Sequence, residues 1–168
     1  MASTIVASTT SGLVQTADNS GVLQLASGTG NLVTVPSVTG TAMVSGNMPA
    51  FSAYPSSVQS LSSGVYTKVQ LNAEEFDTNN CFDSTTNYRF TPNVAGYYQF
   101  SWQAAIYTNN QTITYVQVYK NGSRVKSGFY QYSVTTNSLI AGGSALIYAN
   151  GSTDYFEMYV YTNAANSI

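Results

Sequence analysis

Few side chains in this sequence could carry chemistry. It has seven acidic residues, five basic ones and no histidine, so the commonest general base and the commonest metal ligand are both missing. A serine nucleophile would then need a lysine as its base. The one Ser-x-x-Lys spacing is Ser123-Arg-Val-Lys126. It falls on an expected hairpin strand rather than at the start of a helix, and no Gly-x-Ser-x-Gly elbow occurs. Glycoside hydrolysis needs two carboxylates facing across a cleft, for which Glu74, Asp77 and Asp154 are the candidates. The acidic group Glu74-Glu75-Phe76-Asp77 with Asp83 offers oxygen ligands for calcium, but without the interleaved spacing of a calcium loop it reads as a solvated loop first and a calcium site only as the lesser alternative. Cys81, the single cysteine, has no partner for an intrachain disulfide and no basic sequence neighbour to favour its thiolate. We therefore assign no catalytic residue, no cofactor and no metal, and expect a protein that is not an enzyme.

The elements that would position any site come from an unusual composition. Only 7% of the 168 residues are charged, against about 25% in ordinary globular proteins, and Ser, Thr, Asn and Gln make up the polar surface instead. A net charge of -2 cannot neutralise a run of phosphates, which argues against nucleic acid and anionic membrane as partners. No window approaches the roughly 20 apolar residues of a membrane span, and Met1-Ala-Ser-Thr-Ile-Val-Ala-Ser8 lacks the basic and apolar regions of a signal peptide. The expectation is a soluble protein made in the cytoplasm without export. The sequons at Asn110, Asn121 and Asn150 are matches that so many Ser, Thr and Asn residues produce by chance.

The chain changes character near residue 50. Residues 1–50 carry one charge, Asp18, and short apolar clusters (Gly12-Leu-Val, Gly21-Val-Leu-Gln-Leu, Asn31-Leu-Val-Thr-Val) between Ser/Thr/Gly spacers. Such a segment has too little apolar bulk to offset its own ordering entropy, so it reads as an extended arm that orders against a partner, or as a linker. Residues 51–168 are β throughout. Val65-Tyr-Thr-Lys-Val-Gln-Leu71 and Ile113-Thr-Tyr-Val-Gln-Val-Tyr119 alternate with the two-residue period of half-buried strands. Asn121-Gly122 is a strong hairpin signal because both residues tolerate positive φ, and Asn150-Gly151 marks a second turn. Asp154-Tyr-Phe-Glu-Met-Tyr-Val-Tyr161 sets Tyr155, Glu157, Tyr159 and Tyr161 on one face and Phe156, Met158 and Val160 on the other. Short strands at about ten-residue spacing predict an all-β sandwich or jelly roll, one strand short.

Several phrases occur in the order seen in one family: Tyr88-Arg-Phe-Thr-Pro92 with Gly96-Tyr-Tyr-Gln-Phe-Ser-Trp102, then Val118-Tyr-Lys-Asn-Gly122, then Gly143-Ser-Ala-Leu-Ile-Tyr-Ala-Asn-Gly151 and Asp154-Tyr-Phe-Glu-Met-Tyr159. Over residues 50–162 the chain resembles the globular head shared by complement subcomponent q and the tumour-necrosis-factor superfamily. The resemblance implies a ten-stranded jelly roll that forms a homotrimer, with aromatic and aliphatic faces buried between protomers. Ala95 stands where the family's turn proline usually precedes the glycine, and no Phe-Ser-Gly-Phe-Leu-like final strand follows Tyr161, so either that strand lies outside this sequence or another segment fills the gap. With its Thr10-Ser-Gly-Leu13 and Asn19-Ser-Gly-Val-Leu-Gln-Leu25 start, the chain is also similar in style to structural proteins of tailed bacteriophages. That implies a virion-surface location after assembly in the host cytoplasm: a capsid decoration or short head fibre whose arm docks on the shell or another virion protein. The alternatives are a tail-fibre tip that recognises a host surface glycan or protein, and a soluble complement-like adhesion module.

For core or trimer packing the expected residues are Phe90, Tyr97, Tyr98, Phe100, Trp102, Tyr115, Tyr119, Tyr155, Tyr159 and Tyr161. Trp102 reads as core rather than as a sugar platform. Arg124, Lys126, Phe129, Tyr130 and Tyr132, just past the Asn-Gly turn, are the candidate recognition surface, since Tyr and Arg are enriched in binding hot spots. The same five residues serve equally well as trimer contacts.

Overall fold

A computed structural model of the chain describes residues 23–26, 32–35, 48–108, 112–134 and 137–168. Among them every regular element is a strand. The chain divides into two units, Met1–Ala42 and Met43–Ile168. In the first, two of the three apolar clusters become β1 (Leu23–Ala26) and β2 (Leu32–Val35), antiparallel with Leu23 opposite Val35. The Gly12-Leu-Val cluster lies outside the described residues.

The second unit runs β3 (Phe51–Tyr54), β4 (Ser60–Leu61), β5 (Val65–Lys68), β6 (Ala73–Asp77), β7 (Phe82–Asp83), β8 (Arg89–Phe90), β9 (Gly96–Thr108), β10 (Thr112–Lys120), β11 (Ser123–Ser127), β12 (Gln131–Ser133), β13 (Asn137–Ala149), β14 (Phe156–Thr162) and β15 (Asn166–Ser167). One sheet has the order β13-β9-β15-β4, and a second has β11-β10-β14-β8-β7 with β12 also on β10 and β5 also on β14. β3 and β6 form a separate ribbon. All pairs are antiparallel, an all-β arrangement consistent with a β-sandwich. The last strand, β15, is short: it lies beside β9 and pairs Ser167 with Tyr107.

Alternation dictates what each strand buries. β9 turns Phe100, Trp102, Ala104 and Ile106 inward, β13 adds Ala141, Ile147 and Ala149, and the second sheet answers with Val116, Val118, Phe156 and Val160. Phe51, Phe82 and Phe90 stack with centroids 4.7 and 4.5 Å apart, and Phe100 meets Phe156 at 4.6 Å, so an aromatic seam joins the ribbon to both sheets. β5 stops at Lys68, short of the expected Leu71, although the Val69 N–H still donates to the Met158 carbonyl at 2.9 Å.

The turns follow their sequence signals. Asn121 and Gly122 both have positive φ, 53° and 76°, which matches the right-handed twist of β10 and β11. Gly128 meets a different demand. Its N–H donates to the Val116 carbonyl at 2.8 Å and the next N–H, of Phe129, donates to the Gly142 carbonyl at 2.9 Å, so the link between β11 and β12 stitches one sheet to the other. A Cβ on Gly128 would run into the Gly142 carbonyl, and one on Gly143 would stand 3.0 Å from the Trp102 ring. Gly128→Ala should therefore lower stability by about 1–3 kcal/mol through overpacking. Gly96→Ala, with nothing within 4 Å of the added carbon, should stay within about 0.5 kcal/mol, and urea midpoints of the two variants test the contrast.

Candidate functional site

The residues proposed for chemistry are not brought together. Ser123 and Lys126 both lie exposed on β11, so the lysine lacks the desolvated setting on which a Ser–Lys dyad depends. Each acidic residue with a described partner is engaged locally. Asp77 accepts from the Phe82 N–H at 2.8 Å, and Glu75 from the Ser52 hydroxyl at 2.7 Å. The Asp83 carboxylate accepts from the N–H groups of Thr85, Thr86 and Asn87 and from the Asn87 side-chain amide, and these donors hold its pKa well below the usual carboxylate range. It organises its own turn. Among the described residues no group of three or more His, Cys, Asp or Glu is arranged to hold a metal. Cys81 is buried, its Sγ donates to the Asn79 carbonyl at 3.5 Å, and burial pushes its thiol pKa up. All of these are the settings of structural groups.

Asp154 joins the two predicted turns. Its carboxylate pairs with Lys120 at 2.8 Å and accepts from the Asn121 side-chain amide at 2.8 Å and the Asn150 N–H at 2.9 Å. The lysine and the two amide donors lower its pKa to about 2. Asn121 returns the tie by accepting from the Tyr155 N–H at 3.0 Å.

What remains is aromatic surface. On the outer face of the second sheet the rings of Tyr66, Tyr161, Tyr115 and Tyr130 follow one another at centroid spacings of 4.8, 5.8 and 6.0 Å. Tyr119 stacks on Tyr159 at 4.1 Å beside them, and the Arg89 guanidinium sits 4.4 Å over the Tyr155 ring. Gln117, between Tyr115 and Tyr119 on β10, is 1% exposed, and its Oε1 has no hydrogen-bond partner. Phe129 (80% exposed), Tyr130 and Tyr132 project from the link and β12, with Arg124 and Lys126 exposed on neighbouring β11. Of the candidate recognition residues, Tyr130 reaches the tyrosine row, through Tyr115.

The residues expected to pack divide three ways. Phe90, Phe100 and Trp102 are core. Tyr98, Tyr115, Tyr119, Tyr155, Tyr159 and Tyr161 are half-buried. Tyr97 is 72% exposed and belongs to the solvent face of the β9–β13 pair, so it plays no part in the protomer core. Its ring meets Tyr148 edge-on at 5.3 Å, and Leu146, Ile140 and Tyr107 are exposed on the same two strands. Sequence reasoning missed Tyr66, Ile140, Leu146 and Tyr148. The alternation of β13 was a signal that could have found the last three. No family model matches the chain, and no curated protein matches it.

The depressed Asp154 pKa has a definite sign in acid. Its stabilising contribution is present in full above the unfolded carboxyl value of about 3.9 and is lost as pH falls through the folded value of about 2. Urea midpoints measured from pH 7 to pH 2 should fall more steeply for the wild type than for Asp154→Asn, which starts lower at neutral pH.

Proposed function

We propose that this chain is a non-enzymatic structural protein of a phage virion surface, a homotrimeric capsid decoration or short head fibre whose N-terminal segment docks on the particle. One observation carries the reading. The solvent face of β9 and β13 presents Tyr97, Tyr107, Ile140, Leu146 and Tyr148 with no charged residue on either strand. A lone domain gains nothing from aligning tyrosines, leucine and isoleucine toward water, whereas a self-associating one buries them.

The strand order supports a jelly roll of the complement type. β9 lies between β13 and β15 in one sheet, and β14 and β11 flank β10 in the other, two antiparallel sheets of the kind a jelly roll is built from. The separate unit Met1–Ala42 suits a docking segment, and three such segments on one trimer would multiply a weak single affinity. The head would then face outward.

The exposed aromatic region around Phe129, Tyr130 and Tyr132 favours a second reading, a tail-fibre tip that stacks those rings on a host glycan or an apolar protein surface. Copy number separates the two. Labelled antibody on intact particles should decorate the whole shell for a decoration protein and only the tail for a tip, and absence of the chain from purified virions removes both. Light scattering should give three times the protomer mass. Leu146→Asp should weaken that association at least about tenfold while leaving the thermal unfolding of the protomer nearly unchanged, and a monodisperse wild-type monomer defeats the trimer.

A further inference from the structure

β9 is fully paired on only one edge. β13 covers its whole length, but on the other edge β15 meets it only at Tyr107, and among the described residues no strand pairs with residues 96–106 there. Across the space beside β9 lies β3, which among the described residues pairs with β6 alone.

Two cavities fill the space between. One, of about 380 Å³, is lined by residues 51–55 on one side and 99–103 on the other. The second, of about 450 Å³, is lined by residues 48–51 and 94–100 and shares Phe51, Gln99 and Phe100 with the first. Because runs of consecutive residues line both sides, it is strand edges with their backbone groups, not side-chain faces, that border the groove. Along β9 it extends over residues 96–103, about 26 Å at roughly 3.3 Å per residue.

The walls specify what fits. Phe82, Phe100, Trp102 and Phe156 supply apolar surface. The only charged lining residue, Glu157, is already paired to Lys68 at 2.7 Å, and the second cavity has no charged lining at all. A charged occupant would lose its hydration without gaining a counter-ion. An uncharged extended chain would instead meet the unpaired edge of β9 and place alternate side chains on the aromatic floor.

We propose that this groove is a strand acceptor. It takes an uncharged extended segment of a partner polypeptide, roughly six to eight residues long with aliphatic side chains at alternate positions, running antiparallel to β9. The direction is set by β15, which already lies antiparallel on that edge. The inference is independent of the virion reading, and either can fail without the other.

Trp102 is the only tryptophan and lines the groove, so its fluorescence reports on the site. The test uses the full chain and, as probe, the capped peptide of residues 20–27 (Ser-Gly-Val-Leu-Gln-Leu-Ala-Ser), which is uncharged and alternates Leu23 with Leu25. The expected result is a saturable change in Trp102 emission, together with about tenfold slower hydrogen exchange of amides within residues 96–106. The same peptide with both leucines replaced by aspartate should do neither. Three outcomes overturn the proposal: no change at millimolar peptide, amides of residues 96–106 that already exchange slowly throughout in the free chain, or an equal effect from the aspartate peptide.

Discussion

The carbonyl of Val116 is the point on which the larger unit depends. β14 pairs Val116 with Val160 on one edge of β10, but on the other edge β11 has ended and β12 has not begun, and an unsatisfied buried carbonyl there costs about 1–3 kcal/mol. Two donors from different places meet the need: the Gly128 N–H at 2.8 Å and the Trp102 indole N–H at 3.2 Å. The indole must therefore cross from one sheet to the backbone of the other. Gly143 leaves room for the ring, Gly128 lets the link pass close to the Gly142 carbonyl, and Gly142 lets β13 lie against the β9 backbone at Trp102 and Gln103. Aromatic bulk and missing side chains form one device here, and the spacing of the sheets follows from it.

Scarcity of charge shapes the rest. With twelve charged side chains in all, this protein builds its turns from Asx geometry. Asn150 accepts from the N–H groups of Ser152, Thr153 and Asp154, and Asp83 does the same for the turn after β7. The two ion pairs among the described residues, Lys68–Glu157 and Lys120–Asp154, join elements within the second sheet and its turns. Little charge is left to steer a partner from a distance, so recognition has to come from shape, ring stacking and backbone pairing at contact range.

Much of this was legible in the sequence wherever the signal was local. The Asn121-Gly122 turn, the inward phase of β9 and the two faces of β14 follow from φ tolerance and a period of two. Burial of Trp102 followed as well, since β9 alternates around it. The parts that escaped are those set by distant neighbours. Tyr97 belongs to the same phrase as Trp102, yet its odd position turns it to solvent, and its fate depends on what lies over the sheet. Gln117 sits on an outward position of β10 but is buried by the tyrosines beside it, which no period along one strand can indicate. Tyr66 joins the tyrosine row only because β5 pairs with β14 in a register that sets it against Tyr161. The scarcity of charge along β9 was visible, but the groove was not, because it exists only where the β3–β6 ribbon stands apart from β9.

β9 is where these features converge. Its inward face carries the core, its outward face carries Tyr97 and Tyr107, one edge holds β13 and the other borders the groove. Faces and edges of a strand point in perpendicular directions, so association through the outward face and addition of a strand at the edge do not compete for the same atoms. They are nonetheless coupled. A strand seated beside β9 would widen the sheet whose outer surface bears the exposed tyrosines, and its own outward side chains would enlarge that surface. Partner binding at the edge would thus extend the face proposed for self-association, through one strand and without any change in the core.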